Sequence, residues 1–186
     1  MNIPNCITII RILLIPLLVI LLLEGRILAA FWVFVVAGVS DGLDGFLARA
    51  LKQKTEFGAF IDPLADKLLL ITSFITLAVL DIVPNWLTVV VVSRDVLILG
   101  GIGILMLFGR AIAFRPSLLS KATTFLQLAT VVFHLGQEYF TPLLWARVGL
   151  ISLTAICTIL SGVHYIVIGF RILGNPNVAP HANRDK

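Results

Sequence analysis

The chain has 186 residues, 59% of them hydrophobic and 13% charged, with a mean hydropathy of +1.07. A soluble domain carries about 25% charged residues, and a disordered chain is rich in charge and poor in apolar side chains, so both classes are excluded. The formal net charge of +4, from 14 Lys and Arg against 10 Asp and Glu, is small enough that the placement of the charges matters more than their sum. At about 20 apolar residues per span, the length accommodates six membrane spans and no sizeable soluble domain. Cys6 and Cys157 lie far apart without metal-type spacing, so neither a disulfide framework nor a zinc site is indicated.

The first apolar run, residues 12–23, has the length of a secretion-signal core, but residues 1–10 hold no Lys or Arg and Pro4-Asn5 reads as a turn or helix start. Residues 7–23 are therefore expected to form the first span, preceded by a short interfacial segment. A second segment, 27–49, carries Asp41, Asp44 and Arg49 at its end, and a basic loop with Lys52 and Lys54 follows. The third, 57–80, bunches Asp62, Asp66 and Lys67 at its start and is closed by Asp81 and Pro84-Asn85. A fourth, 86–108, contains Arg94-Asp95, and the loop after it contains Arg110, Arg115 and Pro116. The fifth covers 118–138, and the sixth, 148–170, is free of formal charge. The predicted fold is an all-α integral membrane protein with six transmembrane helices in a single domain, 1–170, and a polar cytoplasmic tail, 171–186.

Six spans put both termini on one side. That side would hold Arg11, Arg49, Lys52, Lys54, Lys67, Arg110, Arg115, Lys121, Arg171, Arg184 and Lys186, against Arg26 and Arg147 on the other, which makes it cytoplasmic by the positive-inside rule. Trp32, Trp86 and Trp145 then fall near the opposite ends of their spans, where interfacial aromatics belong. His134, His164 and His181 are isolated and receive no catalytic role.

The informative region is 40–67. On helices, Asp41 and Asp44 are i, i+3 neighbours, Asp62 and Asp66 are i, i+4 neighbours, and a short loop makes the two helix ends adjacent. An intramembrane charge costs about 2.5–3.5 kcal/mol on insertion scales, and four carboxylates at one site would repel one another. Two divalent cations neutralise them, and an all-carboxylate set suits Mg²⁺, Mn²⁺ or Ca²⁺ and disfavours zinc. Paired metals clamp the attacking and leaving oxygens in phosphoryl-type displacement. Gly42, Gly45, Ala48, Gly58 and Ala59 leave the backbone bare for a phosphate group, and Arg49 supplies a planar donor fork. Small-residue spacing such as Gly38/Gly42 more often marks helix packing, but four acids in two helix-spaced pairs resist that explanation. A small cation transporter would instead string its acids through the bilayer depth and favour an inverted repeat, and a noncatalytic scaffold would not need the acids.

The pattern D-x-x-D-G-x-x-A-R-x8-G-x3-D-x3-D, formed by Asp41, Asp44, Gly45, Ala48, Arg49, Gly58, Asp62 and Asp66, resembles the signature of the CDP-alcohol phosphatidyltransferases. The resemblance implies a six-helix membrane enzyme, usually a homodimer, that uses two Mg²⁺ or Mn²⁺ ions to move a phosphatidyl group from a CDP-linked lipid to an alcohol with release of CMP. It implies that Asp41, Asp44, Asp62 and Asp66 hold the metals and that Asp66 is the general base. Gly45, Ala48, Arg49 and Gly58 would shape the nucleotide site. The opening IPNCITIIR and the element Lys121, Thr124, Gln127 are similar to the branch with glycerol-type acceptors, both phosphatidylglycerophosphate synthases and CMP-forming cardiolipin synthases. Ser93-Arg94-Asp95-Val96 departs from the R-E-F of the former toward the latter. The expected partners are CDP-diacylglycerol, glycerol 3-phosphate or phosphatidylglycerol, and the bilayer, with no nucleic acid. Arg94, Lys121 and Arg115 are candidates for binding an anionic acceptor; for Arg115, loop charge is an equal reading. The ordinary explanation of Arg94 is an ion pair, and pairing with its neighbour Asp95 is the weaker version because adjacent helical residues point apart.

Overall fold

The computed structural model describes the backbone of residues 3–50, 56–107, 117–137, 139 and 146–174, and the side chains of 9–40, 64–101, 103, 117–137, 139 and 146–170. These residues form α1 (Ile3–Leu23), α2 (Ile27–Ala50), α3 (Glu56–Val79), α4 (Asn85–Leu107), α5 (Leu118–Leu135) and α6 (Ala146–Gly174). The six expected segments are thus six helices. The residues expected as a separate interfacial piece belong to α1, which starts at Ile3, and α6 continues past Phe170.

The helix ends follow local chemistry. After α1 the amide of Gly25 donates to the Leu22 carbonyl and that of Arg26 to the Leu21 carbonyl, the paired closure of a Schellman motif, with Gly25 at φ +72°. The end of α3 repeats it: Asp81 donates to Ala78 and Ile82 to Leu77, but here Asp81 takes the left-handed position at φ 55°. Pro84 precedes α4 and its carbonyl receives the Leu87 amide at 3.0 Å. Ser117 caps α5, its hydroxyl accepting from the Ser120 amide.

α1 packs against both α2 and α3, α4 packs against α3 and α6, and α5 packs against α6 and α2. The apolar core between them is built from Leu18 and Leu22 of α1, Phe31 and Phe34 of α2, Phe74 and Leu77 of α3, Leu87 and Val91 of α4, Val131 and Leu135 of α5, and Ala155 of α6. Outside the core, large apolar side chains face outward from every helix, among them Leu13, Val36, Val79, Val89, Phe125 and Val163. Apolar surface of that kind marks contact with a membrane or with another protein. Among the described residues two helices, Leu118–Leu135 and Ala146–Phe170, are long and apolar enough to cross a membrane, and Ile9–Leu23 and Ile27–Ser40 are shorter apolar stretches. The architecture is all-helical and consistent with a membrane protein.

Candidate active site

The acidic signature spans the C-terminal part of α2 and the N-terminal part of α3. Asp41, Asp44, Gly45, Ala48 and Arg49 lie on α2, and Gly58, Asp62 and Asp66 on α3. The connection between the two helices, 51–55, and the side chains of all these residues except Asp66 lie outside the described residues, as does Arg115. Among the described residues no group of three or more His, Cys, Asp or Glu is assembled. The donor chemistry nevertheless fits a hard divalent cation. Asp66, the described member, presents a carboxylate 38% exposed, and α2 and α3 both pack on α1 beside it.

Asp66 accepts a hydrogen bond from Arg11 of α1, Nη1 to Oδ1 at 2.7 Å. Arg11 is 1% exposed and is the largest fully buried side chain among the described residues. Its sequence context suggested one more orienting cytoplasmic charge; instead it is turned into the bundle against the acid proposed from sequence as the base. A buried guanidinium is costly unless a partner compensates it.

The next residue, Lys67, is held from the opposite direction. Its Nζ lies 2.8 Å from Oδ1 of Asp95 on α4, and the same oxygen accepts from Arg94 Nη1 at 2.5 Å. Asp95 is 1% exposed. The neighbouring pair that helix geometry disfavours therefore forms, because the long arginine side chain folds back to a carboxylate that is sealed between α3 and α4 and needs both cations. Arg94 Nη2 also donates to Ser120 Oγ of α5 at 2.7 Å and to Ser161 Oγ of α6 at 3.0 Å, and the guanidinium lies over the Tyr165 ring at 5.9 Å. Gly162, beside Ser161, packs against this arm, and a Cβ there would stand in ordinary contact, 3.7 Å from Arg94 Cγ. Arg94, offered by sequence as an acceptor ligand, thus has internal partners on three elements. Lys121, next to Ser120, is exposed on the first turn of α5. The structure connects Lys67, Asp95, Arg94, Ser120 and Ser161 in one chain of contacts, with Asp66 next to Lys67 in sequence.

Behind Arg94 a polar seam runs between α5 and α6. Gln127 Nε2 donates to Thr158 Oγ1 at 3.4 Å, and the hydroxyls of Thr130 and Thr154 meet at 2.8 Å. Thr123 Oγ1 donates to the Cys157 carbonyl at 3.1 Å, and His134 Nδ1 donates to the Thr130 carbonyl at 2.7 Å. The element Lys121, Thr124, Gln127 is therefore divided, with Gln127 buried in this seam, Thr124 Oγ1 bonded to the Ser120 carbonyl and Lys121 outside. Sequence reasoning missed Arg11, the Lys67–Asp95 pair and the seam. The period of three to four residues among Thr123, Gln127, Thr130 and His134 is the signal that could have revealed the last.

An all-helical bundle with an apolar exterior, with the acidic signature placed on α2 and α3 and buried cations on α1 and α4, is of a class consistent with a membrane protein. The family model of the CDP-alcohol phosphatidyltransferases matches residues 1–167, and the chain belongs to that family. A CDP-diacylglycerol–glycerol-3-phosphate 3-phosphatidyltransferase of Bacillus subtilis (strain 168) is 37% identical over 145 residues, 70% of this chain and 74% of that protein. One of the same name from Wigglesworthia glossinidia brevipalpis is 31% identical over 181 residues, 93% of this chain and 97% of that protein. A Drosophila melanogaster protein named "Probable cardiolipin synthase (CMP-forming)" is 35% identical over 184 residues, 90% of this chain, which spans 57% of that protein's length.

Proposed function

We propose that this chain is a six-span membrane transferase that moves a phosphatidyl group from CDP-diacylglycerol to a glycerol-type alcohol and releases CMP. The preferred acceptor is sn-glycerol 3-phosphate. The observation that carries the reading is the eight-residue acidic signature on α2 and α3, and the names of the B. subtilis and Wigglesworthia relatives support the acceptor. Asp41, Asp44, Asp62 and Asp66 would hold Mg²⁺ or Mn²⁺, which neutralises the pyrophosphate when bound. Gly45, Ala48, Arg49 and Gly58 would receive the nucleotide.

In the proposed reaction the acceptor hydroxyl oxygen attacks the lipid-side phosphorus of CDP-diacylglycerol. A new phosphorus–oxygen bond forms, the bond to the bridging oxygen breaks, and CMP leaves with that electron pair. Asp66 takes the hydroxyl proton. Its partial exposure beside the buried Arg11 supports this role, since a base must reach its substrate. Lys121 is exposed and suits a phosphate-bearing acceptor; Arg115 belongs to the same proposal. Arg94, tied to Asp95, Ser120 and Ser161, would shape that subsite from within and not hold the acceptor directly. We further propose that residues 1–170 act as one domain in a homodimer, with the active site, both termini and the tail 171–186 on the cytoplasmic side.

A second reading, cardiolipin formation from phosphatidylglycerol, is favoured by Ser93-Arg94-Asp95 and by the similarity to the Drosophila protein. Purified protein with CDP-diacylglycerol and Mg²⁺ should be offered glycerol 3-phosphate, phosphatidylglycerol, inositol phosphate and serine in parallel, with CMP counted and the lipid product identified. CMP release that needs glycerol 3-phosphate and yields phosphatidylglycerophosphate is expected. Cardiolipin as the product selects the second reading, and no metal-dependent CMP release with any acceptor rejects both.

A further inference from the structure

We propose that Arg11 is the positioning residue for the Asp66 carboxylate, and that Asp95, acting through Lys67, holds the same turn of α3 from the other side. The inference rests on the reading of Asp66 as the base. Two consecutive residues of α3 are each ion-paired to a different neighbouring helix: Asp66 to Arg11 of α1 at 2.7 Å and Lys67 to Asp95 of α4 at 2.8 Å. Successive helical residues project about 100° apart around the axis. Pairs in two such directions define the rotation of α3, and any turn of the helix about its axis that relaxes one pair strains the other.

The burial of the two pairs is opposite in sense, and this separates their tasks. In the α4 pair the acid is sealed, with Asp95 1% and Lys67 22% exposed, as in an internal anchor. In the α1 pair the cation is sealed and the acid is open, with Arg11 1% and Asp66 38% exposed. A guanidinium enclosed in the bundle cannot itself meet the substrate. It donates from fixed, planar N–H groups, so it sets the direction of the carboxylate that can. A carboxylate has two oxygens and about four lone-pair sites, so accepting from a guanidinium does not by itself exhaust it. Misplacing a reacting group by about 1 Å costs on the order of a hundredfold in rate, which is the scale of effect expected of such a holder.

The test uses the full-length chain in proteoliposomes, with kcat and KM measured for CMP release from CDP-diacylglycerol at saturating Mg²⁺. For Arg11→Met we expect kcat to fall about ten- to a hundredfold, with both KM values and the Mn²⁺ affinity, read by electron paramagnetic resonance, within about threefold of wild type. Arg11→Lys should recover part of the loss. Wild-type kcat in Arg11→Met overturns the proposal, and so does a parallel loss of Mn²⁺ affinity, since Arg11 would then serve the metal site as a whole. If Arg11→Met does not fold, Arg11→Lys decides: kcat at the wild-type value overturns the assignment, and a fall of about five- to twentyfold at unchanged KM sustains it. Asp66→Asn is measured alongside. Full activity there removes the reading of Asp66 itself, whereas an inactive Asp66→Asn with unaffected Arg11 variants removes the positioning role alone.

Discussion

Among the described residues the buried Arg11, Arg94 and Asp95 are ion-paired, and the pairs differ in what they do. Asp95 receives both Lys67 and Arg94 on one oxygen while 1% exposed. Removing one partner of a buried ion pair costs about 3–5 kcal/mol because the remaining charge is left uncompensated. Asp95→Ala strands two cations, so its thermal unfolding midpoint in detergent should fall steeply, by at least the lower end of that range in free energy; an unchanged midpoint would rule out a stabilising role for the Lys67–Asp95–Arg94 cluster. Asp66→Asn is expected to behave differently. It keeps the shape and removes the proposed base, so CMP release should drop about 10²- to 10⁴-fold, while the loss of Arg11's charge partner also lowers the melting midpoint. Full activity in that variant would remove the base assignment.

The helices owe their ends to local devices that differ in cost. Gly25 adopts φ +72° without strain, whereas Asp81 holds the equivalent position after α3 at φ 55°, where a non-glycine residue loses about 1–2 kcal/mol. Asp81→Gly should therefore raise the unfolding free energy by about 0.5–1 kcal/mol, the left-handed relief being partly offset by the entropy of glycine. Gly25→Ala should lower it by about 1 kcal/mol. Equilibrium unfolding of both variants checks the pair, and opposite signs are required. The seam between α5 and α6 works on smaller increments. Interhelical polar contacts in membranes average about 0.6 kcal/mol, so Thr130 and Thr154, 2.8 Å apart, should couple by about that amount in a double-mutant cycle.

At the scale of the molecule, the outward-facing apolar side chains are consistent with a lipid environment. Trp32 and Trp86 are 54% and 53% exposed and lie near the starts of α2 and α4, at the end of the bundle away from the α2–α3 junction. Interfacial tryptophans lie at the headgroup level. Brominated lipids labelled near the headgroup should quench them more than lipids labelled at the chain terminus. The reverse order would contradict the proposed arrangement of the spans.

Much of this was legible in the chain itself. Six apolar segments separated by Gly25, Asp81 with Pro84, and charged loops became six helices with nearly the expected limits, because helix formation and termination depend on residues within a turn of one another. The acidic signature was legible for the same reason, being a matter of spacing. Adjacency misled at Arg94 and Asp95: neighbours on a helix point apart, yet a long side chain folded back once the surrounding helices sealed Asp95 from water. By sequence alone Arg11 is one of eleven basic residues on the expected cytoplasmic side. What gave it a different meaning was Asp66, 55 positions away and brought to 2.7 Å by the packing of α1 on α3. Local order and composition thus determined the helices, the membrane character and the candidate acids, since each depends on short-range spacing or on apolar content. The tertiary structure decided which cation meets which carboxylate and which member of each pair stays open, because those depend on burial between helices that are distant in sequence.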